Sequence, residues 1–261
     1  MRDLTAISHL VLLNRQRLKF PRHTLIFALG TIVAIIALAW LPTSAPAVNV
    51  STHSIVVDET GRSYRLVTPH ELTVPVPVVF AFHGMGDSPA SMAAYSQLDQ
   101  MAAAHGLLLV YPAGINAMWS TFEFDAEDLD SNRDVRFFDA LLARISAQYE
   151  IDRERIYLAG MSNGGSFAQL LANARSVEVA AVVACSGTRP KWLKDAERPF
   201  PILLIAGGKD LAASSMRTDL RAYQSAGHDA EFIVVDGLGH EWSCEHNNVA
   251  VKFLLSCRLE Q

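Results

Sequence analysis

Ser162 stands in "YLAGMSNGGSFA", between an apolar run and what reads as the start of a helix, with Gly160 and Gly164 two residues to either side. A pattern this short gains chemical meaning only from partners. Serine is a weak nucleophile until a base takes its proton. His240, in "DGLGHEW", is a suitable base, and Asp210, in "AGGKDLA", is a carboxylate able to orient the imidazole and stabilise it when protonated. Together they would attack a carbonyl and form a covalent acyl intermediate. Asp236 is a rival acid, but it ends the same apolar run that leads to His240 and ranks below Asp210. The oxyanion made by such an attack needs fixed donors, each worth roughly 3 kcal/mol of barrier. The backbone N–H of Asn163, next after the nucleophile, and that of Met85, in "FAFHGMGDS", are the candidates. His83, at the end of an apolar run and before Gly84, reads as a structural hydrogen-bonding residue and not as a base.

These residues need elements to carry them to one place. Ile55 to Val57 and Tyr64 to Thr68 flank the turn signal Asp58 to Arg62 and predict an opening hairpin. Six later runs, Val76–Phe82, Leu107–Tyr111, Arg155–Ala159, Val179–Ala184, Ile202–Ala206 and Glu231–Val235, are short and largely apolar, as buried parallel strands are. Helical spacing falls between them over Met92–His105, Val135–Tyr149, Ser162–Asn173 and Met216–Ala226, and Asn247–Ser256 closes the chain. Strand-helix alternation predicts an α/β fold with a mostly parallel sheet covered by helices on both faces. Ligands of such sheets bind at the carboxyl ends of the strands. Ser162, Asp210, His240 and the Met85 loop all follow strand ends.

The chain has 261 residues, is half hydrophobic and carries a net charge of -5, which excludes disorder and argues against nucleic-acid binding. Arg2, Arg15, Arg17, Lys19 and Arg22 precede an uncharged apolar run, Leu25 to Leu41, and then Pro42 to Ala47. That order is the layout of a secretory signal cut after Ala47, or of an uncleaved membrane anchor, and length does not separate the two. Both place residues 48–261, the catalytic domain, outside the cytoplasm. Membrane contact is then expected only through the N-terminal segment. Cys185, Cys244 and Cys257 would face an oxidising compartment, yet a helix between Cys244 and Cys257 argues against a bridge, and Cys185 reads as a small buried hydrophobe. Asp128, Asp130, Asn132 and Asp139 mimic calcium-loop spacing, but Arg133 stands where the loop needs glycine, so the segment reads as a solvated acidic loop. No cofactor or metal is implied. Trp119 and Phe122 are candidates for a pocket wall or for ordinary packing.

The segments "PVVFAFHGMGDSPASM", "LLLVYPAG", "DVRFFDALLARISAQYEIDRERIYLAGMSNGGSFAQLLA", "AGGKD" and "GHEW" together resemble the α/β-hydrolase superfamily. Within it the chain is similar to the poly(3-hydroxybutyrate) depolymerase, feruloyl esterase and acetylxylan esterase group. The resemblance implies a secreted serine esterase with Ser162, Asp210 and His240 as its triad and the His83-Gly84 loop as part of its oxyanion hole. It implies a small or polymeric ester as substrate, of the polyester or plant-polysaccharide acyl type. A peptidase on the same scaffold and a catalytically silent binding protein remain alternatives at this point.

Overall fold

Val76 to Phe82 is uniformly apolar because both faces of its strand are covered. In the computed structural model, which describes residues 48–122 and 128–259, all seven of its residues are buried. The elements run β1 (Val48–Val57), β2 (Thr60–Pro69), β3 (Val76–Phe82), α1 (Pro89–Ser96), α2 (Leu98–His105), β4 (Leu108–Pro112) and α3 (Arg133–Gln148). Then follow β5 (Ile151–Met161), α4 (Asn163–Ala174), β6 (Ala181–Cys185), β7 (Ile202–Gly207), α5 (Ala212–Ser225), β8 (Ala230–Val235) and α6 (Asn247–Ser256). The strands form one eight-stranded sheet in the order β1-β2-β4-β3-β5-β6-β7-β8. From β4 to β8 every neighbouring pair is parallel, and β1 and β2 add an antiparallel edge. This is the mostly parallel α/β sheet that the strand-helix alternation predicts, and the α/β-hydrolase architecture that the family resemblance implies.

Alternate side chains of each central strand feed opposite cores. Val78, Phe80 and Phe82 pack with Phe137, Phe138 and Leu141 of α3 and Phe167 and Leu171 of α4. Val79 and Ala81 face the other way, toward Met92, Leu98, Trp242 and Val251. Burying one such side chain contributes about 1.5–3 kcal/mol.

The structure corrects several predicted boundaries. The helix expected over Met92–His105 is two helices, because Gln97 adopts a left-handed conformation (φ 54°) between them. The carbonyls freed there are taken from across the fold: Cys244 Sγ donates to Tyr95 O (2.9 Å) and Asn247 Nδ2 to Ser96 O (2.7 Å). The hairpin turn is tighter than Asp58 to Arg62, since Asp58 and Glu59 both have positive φ and pairing resumes at Thr60. Arg62 is therefore not a turn residue. It lies buried in β2 and donates to Asp134 Oδ1 at 2.7 Å. The acidic segment is not simply solvated, because Arg175 pairs with Asp130 and Asp139, each at 2.7 Å. All three cysteines are free thiols. The predicted N-terminal leader or anchor, including its apolar run from 25 to 41, lies outside the described residues. Among the described residues, no helix is long and apolar enough to cross a membrane.

Candidate active site

β5 ends at Met161 and α4 begins at Asn163, so Ser162 alone makes the bend between them. It does so at φ 54° and ψ -119°, in a region costing about 1–3 kcal/mol for a residue with a side chain. The bend survives because its surroundings leave no other course. A Cβ on Gly160 would strike the Gly164 carbonyl, and one on Gly164 would strike the carbonyls of Phe82 and His83. Ser162 N–H is tied to Cys185 O at 2.8 Å, and Ser162 O accepts from Ser166 N–H at 2.9 Å. The hydroxyl is thereby held above the carboxyl ends of the parallel strands.

The three side chains expected to act together are adjacent. His240 Nε2 lies 2.8 Å from Ser162 Oγ, and His240 Nδ1 lies 3.0 and 3.1 Å from the two Asp210 oxygens. An ionised carboxylate only accepts, so Nδ1 carries the imidazole proton and Nε2 is free to accept the Ser162 hydroxyl. Burial alone would raise the Asp210 carboxyl. The Ser186 hydroxyl beside it, Ala212 N–H on its Oδ1 (2.9 Å) and His240 outweigh that and hold it below the ordinary carboxylate range. The loops bearing Asp210 and His240 are joined through their backbones: Gly208 N–H donates to Val235 O (2.7 Å) and Lys209 N–H to Leu238 O (2.9 Å). Asp236, the rival acid, does not bond to His240 among the described residues.

The two candidate oxyanion donors border the same cleft as Ser162, and neither N–H has an acceptor among the described residues. Asn163 is the first residue of α4, where helix N–H groups have no internal partner. The Met85 N–H shares a peptide plane with the Gly84 carbonyl, and that carbonyl is gripped twice, by His83 Nδ1–H (2.8 Å) and Asp87 N–H (3.2 Å). A trans peptide whose oxygen is fixed has its N–H fixed in the opposite direction. His83 also accepts Gly114 N–H on Nε2 (3.0 Å) and is 1% exposed, so both ring nitrogens are committed to structure. Its burial lowers its pKa, more than the Gly84 bond raises it.

One feature had no sequence signal beyond its position. The side chain of Asn163 reaches the 119–121 loop, where Oδ1 accepts Trp119 N–H (2.7 Å) and Nδ2 donates to Trp119 O (3.2 Å) and Thr121 Oγ1 (3.0 Å). Trp119 is packing and not pocket wall: it is fully buried, stacked on Phe167 and set edge-on to Phe82. Phe122, 63% exposed, does line the cleft of about 470 Å³ beside Ser162, together with Trp192. Among the described residues, no group of acidic, histidine and cysteine side chains is arranged to hold a metal.

Comparison with known proteins agrees with this architecture. A bifunctional acetylxylan esterase/xylanase of Neocallimastix patriciarum is 29% identical over 150 residues, 58% of this chain and 22% of that protein. Feruloyl esterase C of Emericella nidulans is 24% identical over 219 residues, covering 69% of this chain and 77% of the other. The chain thus spans under a quarter of the first relative and about three quarters of the second. The S-formylglutathione hydrolase of Staphylococcus aureus superposes on 80% of this chain and 99% of its own with a TM-score of 0.66, at 10% identity, a likeness of fold alone. The family model described as Esterase PHB depolymerase matches residues 62–192, a stretch that takes in Met85, Ser162 and Asn163 and stops before Asp210 and His240. With half its length matched to that model and its sheet, elbow and loops arranged as described, the chain belongs to the PHB depolymerase esterase family of α/β-hydrolases.

Proposed function

We propose that the protein is a carboxylic ester hydrolase working through an acyl-enzyme, with Ser162 as nucleophile, His240 as general base and acid, and Asp210 as the group that orients His240. The observation carrying this reading is the hydrogen-bonded chain from Ser162 Oγ to His240 Nε2 at 2.8 Å and from His240 Nδ1 to Asp210 at 3.0 Å. In the first half-reaction Ser162 Oγ bonds to the ester carbon as its proton passes to Nε2. The Met85 and Asn163 N–H groups receive the oxyanion. Collapse breaks the bond to the alcohol oxygen, which takes the proton from Nε2, and water then repeats the sequence to release the acid. Family membership supports an ester as the bond cleaved, of the polyester or plant-polysaccharide acyl type. The basic, apolar and small-residue order of residues 2–47 supports an extracytoplasmic location, with residues 1–47 as leader or anchor and 48–261 as the catalytic domain.

Incubation with p-nitrophenyl acetate and with a fluorophosphonate probe tests the reading. Turnover and covalent labelling are expected, with labelling lost in Ser162→Ala and kcat lowered about 10³-fold or more in Asp210→Asn. A folded wild-type protein that neither hydrolyses the ester nor takes the probe would overturn it. Undiminished activity in Asp210→Asn would remove Asp210 alone, and faster cleavage of peptides than of short esters would replace the esterase by a peptidase.

A further inference from the structure

Two chambers flank the hydrogen-bonded pair Ser162 and His240, one lined by each residue, and they differ in charge. The one of about 470 Å³ contains Ser162 and both oxyanion donors, and its charged lining residues are Arg189, Lys191 and Asp219. The other, of about 360 Å³, is lined by Asp87, Tyr95, Met161, His240, Glu241 and Trp242. His240 borders only the second. That distribution decides which half of an ester goes where. The alcohol oxygen must sit at His240 Nε2 to collect its proton as the carbon-oxygen bond breaks. The acyl substituent leaves the same carbon in another direction, toward the chamber shared by Met85, Ser162 and Asn163.

The chamber on the His240 side holds two carboxylates, and no lysine or arginine lines it among the described residues. Among the described residues neither Asp87 nor Glu241 forms an ion pair, and the hydrogen bond to the Glu241 side chain, from Gly239 N–H, is long at 3.4 Å. The buried Tyr95 hydroxyl faces Asp87 and the Gly84 carbonyl without meeting hydrogen-bond geometry to either. Trp242 and Tyr95 add aromatic surface. Carboxylates together with aromatic rings attract cations and repel anions.

We propose that the alcohol half of the substrate occupies the chamber bounded by Asp87, Tyr95, Glu241 and Trp242, and that its charge makes the protein favour cationic over neutral alcohols and reject anionic ones. This rests on the serine ester hydrolase reading and adds to it the class of leaving group. Glu241 is a specificity-determining residue in this account, and the acyl half meets Phe122, Trp192 and Lys191 instead.

The test uses three butyrate esters: of choline, of its uncharged isostere 3,3-dimethylbutanol, and of the anionic 2-hydroxyethanesulfonate. At low salt the choline ester is expected to exceed the neutral ester in kcat/KM by about tenfold, and the anionic ester to fall below it by a similar factor. In 1 M salt, where the screening length is about 3 Å, the three should converge. The choline-to-neutral ratio should shrink in Glu241→Gln and fall below one in Glu241→Lys. Because each ratio is read within one protein sample, any loss of folded enzyme cancels. A neutral ester hydrolysed as fast as the choline ester in wild type, or a ratio untouched by Glu241→Lys, would overturn the inference and leave the hydrolase reading standing. No hydrolysis of any of the three, with no fluorophosphonate labelling, would overturn both.

Discussion

Two histidines sit just beyond the carboxyl ends of strands in the same sheet, and their surroundings suit them to opposite tasks, structural for His83 and, in the proposed reaction, proton transfer for His240. His83 follows β3, is buried, and spends both ring nitrogens on the backbone, donating to Gly84 O and accepting Gly114 N–H. His240 follows β8, has a side chain 50% exposed, and spends one nitrogen on Asp210 while turning the other to Ser162. The difference teaches that residue type at a strand end does not make a base. A base needs one nitrogen held and the other left for chemistry, with room for a substrate beside it. His83 lacks the room, and its contribution passes instead through the Gly84 carbonyl to the direction of the Met85 N–H.

The comparison is most sharply tested by truncating each histidine. His240→Ala should lower kcat by on the order of 10⁵-fold while leaving stability within about 0.5 kcal/mol, since the ring is half in water. His83→Ala should do the reverse in emphasis, losing about 3 kcal/mol in denaturant unfolding, because it strips Gly114 N–H of its acceptor, leaves the Gly84 carbonyl to Asp87 N–H alone and opens a gap beside Trp119. If His240→Ala proved the more destabilising of the two, the division of tasks would be wrong.

A smaller effect is expected from acid. Burial lowers the pKa of His83 in the folded protein, while the unfolded chain recovers a value near 6.5. As pH falls the unfolded state therefore takes up its proton first. Stability from this source is complete above about pH 6.5 and is lost as pH drops below it, until the folded value is reached. His228, also lowered by burial, acts in the same sense. Denaturation midpoints between pH 7 and 5 should fall less steeply in His83→Gln than in wild type, and an equal slope would count against a neutral His83.

The smallest effect separates two glycines of the His240 loop. Gly237 has φ 76° and open space around it, so Gly237→Ala should cost about 1–2 kcal/mol for conformation alone. Gly239 has no positive φ, and its nearest neighbour for a Cβ is a flexible Glu241 oxygen at 3.9 Å, so Gly239→Ala should change stability by less than about 0.5 kcal/mol. Equal costs would mean that Gly239 carries a constraint of its own.

The sequence made the strand ends legible where burial is uniform. Val76–Phe82 is read to the residue because every side chain is apolar and covered. β1 was expected from Ile55 and begins at Val48, because an exposed edge strand mixes polar residues such as Asn49, Ser51 and Thr52 with no core to demand alternation. β5 was expected from Arg155 and begins at Ile151, since Asp152, Arg153 and Glu154 carry charge into a strand that a register shift opposite Val76 and Val78 already distorts. The break at Gln97 was hidden for another reason: it depends on Cys244 and Asn247, some 150 residues away in the chain. The convergence of Ser162, Asp210 and His240 could be read because each follows a strand and brings glycine with it. The grip of Asn163 on the Trp119 loop could not, because its partners are largely backbone atoms, which carry no letter in a sequence.

That grip separates position from identity along the cleft wall. Asn163 holds Trp119 by its N–H and carbonyl, so the course of the loop does not depend on what side chain projects from Phe122. Residue 122 is thus free to change while Asn163, next to Ser162, stays where it is. A lineage, or an engineer, can reshape the cleft beside Ser162 at this position without first having to rebuild the bend that carries it.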